Sequence, residues 1–274
     1  MAEQKSSSKI LDKIIESSIY LSVFLIPLFF LPLRAGSLDF HKQALLVLLT
    51  MIGLSAFVLK ALVGAKIKIE RTSLNYLVLF LVIVLGISTV LSWSPSQSFF
   101  GPVQLASSGL LTWLTLAVFF FLVINYFNSV EQAEKLVYLS LGSISLVGLY
   151  SFLQVWGLFT LPWNFTQARS FNPVGSANSL GLLMASVVPL VIALFWSKKK
   201  SWFRIGLTVL GVLSVLLLII INYWVVWAGL AGGMIALIIF LQTSRRVNDS
   251  WVVVPVVLLV IGFSFVLIRP VIPG

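Results

Sequence analysis

Leu207-Thr-Val-Leu-Gly-Val-Leu-Ser-Val-Leu-Leu-Leu-Ile-Ile-Ile221 decides the architecture. The run has no charge, no two-residue alternation and no polar stripe at helical spacing, so as a helix it is apolar on every side. Such a helix belongs in a bilayer, where it satisfies its own backbone hydrogen bonds and lipid replaces the core. From Ile205 to Gln242 the chain stays free of charge, which is too long for one crossing. The polar pair Asn222-Tyr223 near the middle divides it into spans 205–221 and 224–242.

Working outward, the same reading gives spans at 14–33, 43–63, 74–92, 110–127, 136–157, 177–196 and 251–268. The expected fold class is therefore an all-α, polytopic bundle of about nine transmembrane helices, most of them close to the length a bilayer demands. Composition agrees: 59% of the 274 residues are hydrophobic and 9% charged, with a mean hydropathy of +1.09. An ordinary soluble domain carries roughly 25% charged residues.

The net charge of +10 would suggest nucleic acid in a soluble protein, but here the cations lie in short loops between apolar runs. They report topology, and no nucleic-acid partner is expected. With the amino terminus cytoplasmic, the inside loops are 1–13, 64–73, 128–135, 197–204 and 243–250. Of the 18 basic residues, only Arg34, Lys42, Arg169 and Arg269 fall away from those loops, as the positive-inside bias requires. The tryptophans fall near predicted span ends, as an aromatic belt would. The expected organisation is a cytoplasmic tail at 1–13, with Ser6-Ser7-Ser8 disordered, the bundle at 14–268, and an extracytoplasmic segment at 269–274. Ile14–Leu33 exceeds a signal-peptide core and no A-x-A cleavage site follows it, so it reads as a retained helix.

Cysteine is absent, which excludes disulfides, thiolate chemistry and Cys-bearing zinc sites, and the single His41 excludes a multi-His metal site within the chain. No cofactor is expected. Asn164-Phe-Thr166 is a formal glycosylation sequon without meaning in a bacterial setting.

Chemistry should lie in the extracytoplasmic loops. In Arg34-Ala-Gly-Ser-Leu-Asp39-Phe-His41-Lys42, Asp39 and Lys42 share a helix face and suit an ion pair and cap, with substrate contact as the alternative reading. His41 reads as an interfacial polar residue rather than a base. The loop from Ser92 to Gly109 is uncharged and holds Trp93, Phe99 and Phe100, which suit headgroup anchoring or stacking on a sugar. The third loop, Trp163-Asn-Phe-Thr-Gln-Ala-Arg169-Ser-Phe-Asn-Pro-Val-Gly175-Ser-Ala-Asn178-Ser-Leu-Gly181, carries one charge. Arg169 is suited to a phosphate by its planar fork of donors, with the helix start near Ala177 and the Asn178 amide adding to the site. Contact with anionic lipid, or a cap on a neighbouring helix, is the competing reading.

These pieces resemble the amino-terminal part of the O-antigen ligase and O-antigen polymerase superfamily of bacterial membrane glycosyltransferases. The matching segments are Asp39-x-x-Lys42, Leu91-Ser-Trp-Ser-Pro-Ser-Gln-Ser-Phe-Phe-Gly101, Asn125-Tyr-Phe and, most specifically, Arg169-x-Phe171-x-x-x-Gly175-x-x-Asn178-x-x-Gly181. The resemblance implies an enzyme of the bacterial inner (cytoplasmic) membrane. It would move a glycan from an undecaprenyl diphosphate carrier to a lipid or glycan acceptor on the extracytoplasmic face, without nucleotide sugar or metal. Arg169, Asn178, Asp39 and Lys42 become the candidate substrate-binding residues, with no catalytic residue assigned. Two departures stand against it. Where the family carries Ser-Arg-Gly at the start of the eighth helix, this chain reads Tyr223-Trp224-Val225-Val226-Trp227. The family also continues into a large extracytoplasmic loop, of which Arg269–Gly274 reads as the opening, so an incomplete sequence or a degenerate homologue is expected. A transporter or flippase of lipid-linked sugars and a non-catalytic scaffold are the alternative functions. Against transport, the spans hold almost no ionisable residue, Glu16 being the main one.

Overall fold

The computed structural model describes residues 2–31, 38–63, 69–70, 72–127, 129–197 and 200–244. Among these, every regular element is helical: α1 (Ala2–Leu28), α2 (Leu38–Leu62), α3 (Ser73–Val90), α4 (Pro95–Phe100), α5 (Leu110–Tyr126), α6 (Val130–Val155), α7 (Ala177–Ser197), α8 (Ser201–Ile221) and α9 (Trp224–Ser244). Short 3₁₀ turns lie at Val103–Ser108 and Asn164–Thr166. Six helices, α2, α3, α6, α7, α8 and α9, are long and apolar enough to cross a membrane, and α5 is apolar but shorter. The described chain is an all-α, multi-pass membrane protein.

The expected break at Asn222-Tyr223 is present. Asn222 adopts the left-handed conformation (φ 41°) and ends α8, and its side-chain oxygen accepts a hydrogen bond from the Trp227 indole at 3.3 Å. Other boundaries differ from the sequence reading. The helix that holds span 14–33 starts at Ala2, so residues 2–13, expected as a tail, continue it. Its length includes Asp12, Lys13 and Glu16, which keep it out of the six, and Pro27 stands one residue before its end. The loop expected between Ser92 and Gly109 folds into α4 and a 3₁₀ turn. Span 251–268 and segment 269–274 lie outside the described residues.

The chain divides into two compact units, Met1–Ser143 and Ile144–Gly274, with the boundary inside α6. In the first, α1, α2 and α5 converge on a core of Ile15, Ile19, Ala56 and Leu122, flanked by Phe57, Phe121 and Tyr126. Small residues let α1 and α2 approach, since a methyl group at Gly53 would sit 2.5 Å from Ser18 Oγ and 3.0 Å from Leu122 Cδ1. Ser18 and Ser22 donate back to the carbonyls of Ile15 (2.8 Å) and Ser18 (2.7 Å), so neither hydroxyl is stranded in the apolar packing. Helix α3 has no buried residue at all. Its apolar surface would be ruinous in water and is ordinary in lipid.

The cytoplasmic side expected from the charge bias coincides with an ionic cluster in this unit. Lys60 pairs with Asp12 at 2.6 Å and lies over the Tyr126 ring at 5.1 Å, while Lys135 lies over Tyr20 at 4.5 Å. Glu16 accepts a hydrogen bond from Gln132 at 2.5 Å.

In the second unit α7 packs on α8 and α9 through Leu180, Met184, Val187, Val188, Leu217 and Val226, all nearly inaccessible. Gly181 lets α9 approach: a methyl group there would lie 2.6 Å from Val226 Cγ2. Pro189, inside α7, is met by Gly233, where a methyl group would come within 3.0 Å of the proline Cγ. A side chain at 233 would therefore need the packing to give by a few tenths of an ångström against a ring that cannot rotate away.

Gly53 is crowded, whereas a methyl group at Gly86 of α3 would meet nothing within 4 Å, and the contrast sets up a paired prediction. Gly53→Ala is expected to destabilise the protein by about 1–3 kcal/mol through overpacking, and Gly86→Ala to leave stability equal or higher. Thermal unfolding of the detergent-solubilised variants checks this; equal losses at the two positions would contradict it.

Candidate functional site

The end of α6 and the loop behind it are built around one amide. Helix α6 stops in a Schellman motif: Leu158 N donates to Leu153 O (3.0 Å) and Gly157 N to Gln154 O (3.0 Å), with Gly157 at φ 80°. One residue inside that terminus, Gln154 has no solvent exposure. Its Nε2 donates to Thr166 O and, at 2.9 Å, to Ala168 O. Thr166, itself buried, returns its hydroxyl to Trp163 O at 2.7 Å. In an apolar surround each carbonyl without a donor would cost several kcal/mol, so the Gln154 amide decides how the loop lies on the helix.

The turn that follows carries Arg169. Phe171 N donates to Ala168 O at 2.9 Å, so Ala168 O receives both this backbone bond and the Gln154 amide, and Arg169 stands at the corner between them. Arg169 is exposed and makes no hydrogen bond or ion pair with any described residue. Its guanidinium lies beside the end of α6: a methyl group at Gly157 would be 4.0 Å from both Nε and Nη2. Glycine at 157 thus serves the left-handed cap, and a methyl group there would make only ordinary van der Waals contact with the guanidinium.

Five further positions of the Arg169–Gly181 segment have an architectural task. Phe171 packs edge-on against Tyr150 (6.2 Å between centroids) and Phe165 (5.7 Å). Asn172, buried, accepts from Gly175 N at 3.1 Å, and Gly175 takes φ 126°, which a side chain would strain. Ser176 caps α7 by accepting from Ser179 N at 3.0 Å. Gly181 admits α9. Asn178, in the first turn of α7, is exposed with no hydrogen bond to a described residue. Arg169 and Asn178 are therefore two free polar groups flanking a rigid turn and a helix N-terminus, where anions are favoured.

In the first unit the candidate residues have partners. Lys42 Nζ donates to Ile26 O (2.5 Å) and Pro27 O (3.0 Å), capping the last turn of α1. Asp39 Oδ2 accepts from Ser107 Oγ at 2.7 Å. The expected Asp39–Lys42 ion pair is not formed. Carbonyls at the negative end of α1 are short of donors, and they take the ammonium instead. His41, expected at the interface, is buried, and its Nδ1 finds no partner among the described residues.

Sequence reasoning missed the two glutamines that organise these loops. Gln154 is one. Gln43 is the other: its Nε2 donates to Ala106 O (2.9 Å), Thr112 Oγ1 (2.9 Å) and Phe100 O (3.2 Å), binding α2 to α4, the 3₁₀ turn and α5. The available signal was an amide within an otherwise apolar span, a position that polar residues occupy only with a reason. Asn125, part of the family-like Asn125-Tyr-Phe segment, acts similarly by accepting from Glu70 N at 2.8 Å.

Compared with known protein families, with curated proteins and with solved structures, the chain matches none.

If Gln154 pins the Arg169 turn, Gln154→Leu removes a donor from two carbonyls, a loss of about 1–3 kcal/mol. Trypsin should then cut after Arg169 several-fold faster in membrane-embedded protein, while Gln97→Leu leaves the rate unchanged. An unaltered rate in Gln154→Leu would show that the loop is held by other contacts.

Proposed function

We propose that this chain is a membrane glycosyltransferase of the O-antigen ligase and polymerase type, acting on the extracytoplasmic face of a bacterial inner membrane. The observation that carries the reading is the guanidinium of Arg169, without a hydrogen bond to any described residue, on the braced turn in the loop that leads into α7. Its donor would be a glycan on undecaprenyl diphosphate. In the transfer, an acceptor hydroxyl oxygen bonds to the anomeric carbon as the bond from that carbon to the diphosphate oxygen breaks. The electron pair leaves with the diphosphate and the hydroxyl proton passes to a base or to solvent. Charge thus grows on a phosphate oxygen, and a fixed, bidentate cation that meets it there lowers the barrier rather than merely binding the donor. Asn178 would orient the same group. Asp39 and Lys42 have protein partners, so neither is assigned to the donor.

A flippase would present the same arginine to the same headgroup. Coupling to an ion gradient calls for an ionisable residue in mid-membrane, and Glu16 and Asp12 of α1 are bound to Gln132 and Lys60. Release of free undecaprenyl diphosphate from a lipid-linked glycan by the purified protein separates the two: transfer produces it, transport does not.

Arg169→Ala is expected to lower surface glycan by about 10²-fold at unchanged protein level, with partial retention in Arg169→Lys, which keeps the charge and loses the fork. Glycan electrophoresis alongside an immunoblot reads both. Wild-type output from Arg169→Ala would rule out the assigned role.

A further inference from the structure

The first unit holds a cleft of about 770 Å³ between the end of α3, α4 and the start of α5, within the range of about 300–1,000 Å³ usual for small-molecule sites. Among the described residues no charged side chain lines it, and its wall mixes hydroxyl and amide groups with Trp93 and Trp113. Several of its polar groups are already used: Thr89 donates back to Leu85 O at 2.8 Å, Ser98 to Ser92 Oγ at 2.6 Å, and Ser108 to Leu105 O at 2.8 Å. Ser88, Ser94 and Gln97 side chains are not, and neither indole N–H has a described partner. Trp93 is fully exposed and Trp113 is 40% exposed, so both rings are open to a ligand.

A lipid phosphate would require a cation here, and an acyl chain would leave the amide and hydroxyls unmatched. A neutral polyhydroxylated molecule satisfies both halves of the wall. Its hydroxyls exchange hydrogen bonds with Ser88, Ser94 and Gln97, and the C–H face of a sugar ring lies on an indole face, where the ring's negative quadrupole is presented. Ser94 is available for this by its position. It occupies the N-cap of α4, yet its side chain makes no cap hydrogen bond, leaving the hydroxyl for the cleft.

We infer that this cleft is a binding site for a neutral carbohydrate. The carbohydrate class of its occupant rests on the function proposed above, but its test measures binding and not transfer, so either can fail alone.

The chain has no cysteine, so a single Ser94→Cys variant reports on the cleft alone. In the full chain reconstituted in nanodiscs, a membrane-impermeant maleimide is expected to label it. Maltotriose, chitotriose and lactose serve as probes, and at least one should slow labelling several-fold, whereas inorganic phosphate and phosphocholine should not. Adding Trp93→Ala should abolish that protection, and adding Arg169→Ala should leave it intact. The inference is overturned if the thiol of the Ser94→Cys variant is unreactive because lipid fills the cleft, if none of the three sugars protects, if phosphocholine protects equally, or if protection survives Trp93→Ala.

Discussion

A carbonyl that loses its helical partner within a membrane has no water to turn to, and the loops of this protein are arranged around that shortage. At three places where the chain folds back, a side-chain donor reaches carbonyl oxygens of the loop or helix end. Lys42 does so for the last turn of α1, Gln43 for Phe100 and Ala106, and Gln154 for Thr166 and Ala168. Each donor comes from a different helix, or a distant part of the chain, so satisfying the carbonyl also fixes the loop. Amides suit the task because one nitrogen carries two hydrogens and no charge, so it can serve more than one acceptor without the desolvation penalty of an ammonium.

This arrangement separates architecture from chemistry in the Arg169–Gly181 segment. Phe171, Asn172, Gly175, Ser176 and Gly181 are explained by packing, turn geometry and capping. Arg169, Ser170 and Asn178 are the polar side chains of the segment without a hydrogen bond to a described residue. Under the function proposed above, such a braced turn would limit how far the arginine must reorganise on meeting a ligand.

The six spans at α2, α3, α6, α7, α8 and α9 were legible because a helix in lipid needs only length and apolarity, and both are local properties of sequence. The break at Asn222-Tyr223 was legible for the same reason, since two polar residues interrupt a run otherwise too long for one crossing. The α1 boundary was not: its helix continues through residues 2–13, where polarity suggested a tail, because helix formation does not require membrane depth. The fate of Lys42 was hidden for a different reason. Its spacing from Asp39 favours a pair on one helix face, whereas its actual acceptors lie at the end of α1, a tertiary fact that no local pattern encodes. Arg169 stood out in sequence as a lone loop charge, but what holds it in place, Gln154, looked like one more polar residue near a helix end.

The meeting of Pro189 and Gly233 constrains the order in which this protein can change. A proline ring has no alternative rotamer to offer, so any side chain arriving at 233 first needs the packing around it to give, and a lineage that tries it is held back. If position 189 changes first, the constraint on 233 is released and the site opens to larger residues. The pair therefore acts as a one-way gate on sequence drift: related chains should show glycine at 233 wherever proline persists at 189, and variety at 233 only where that proline has gone.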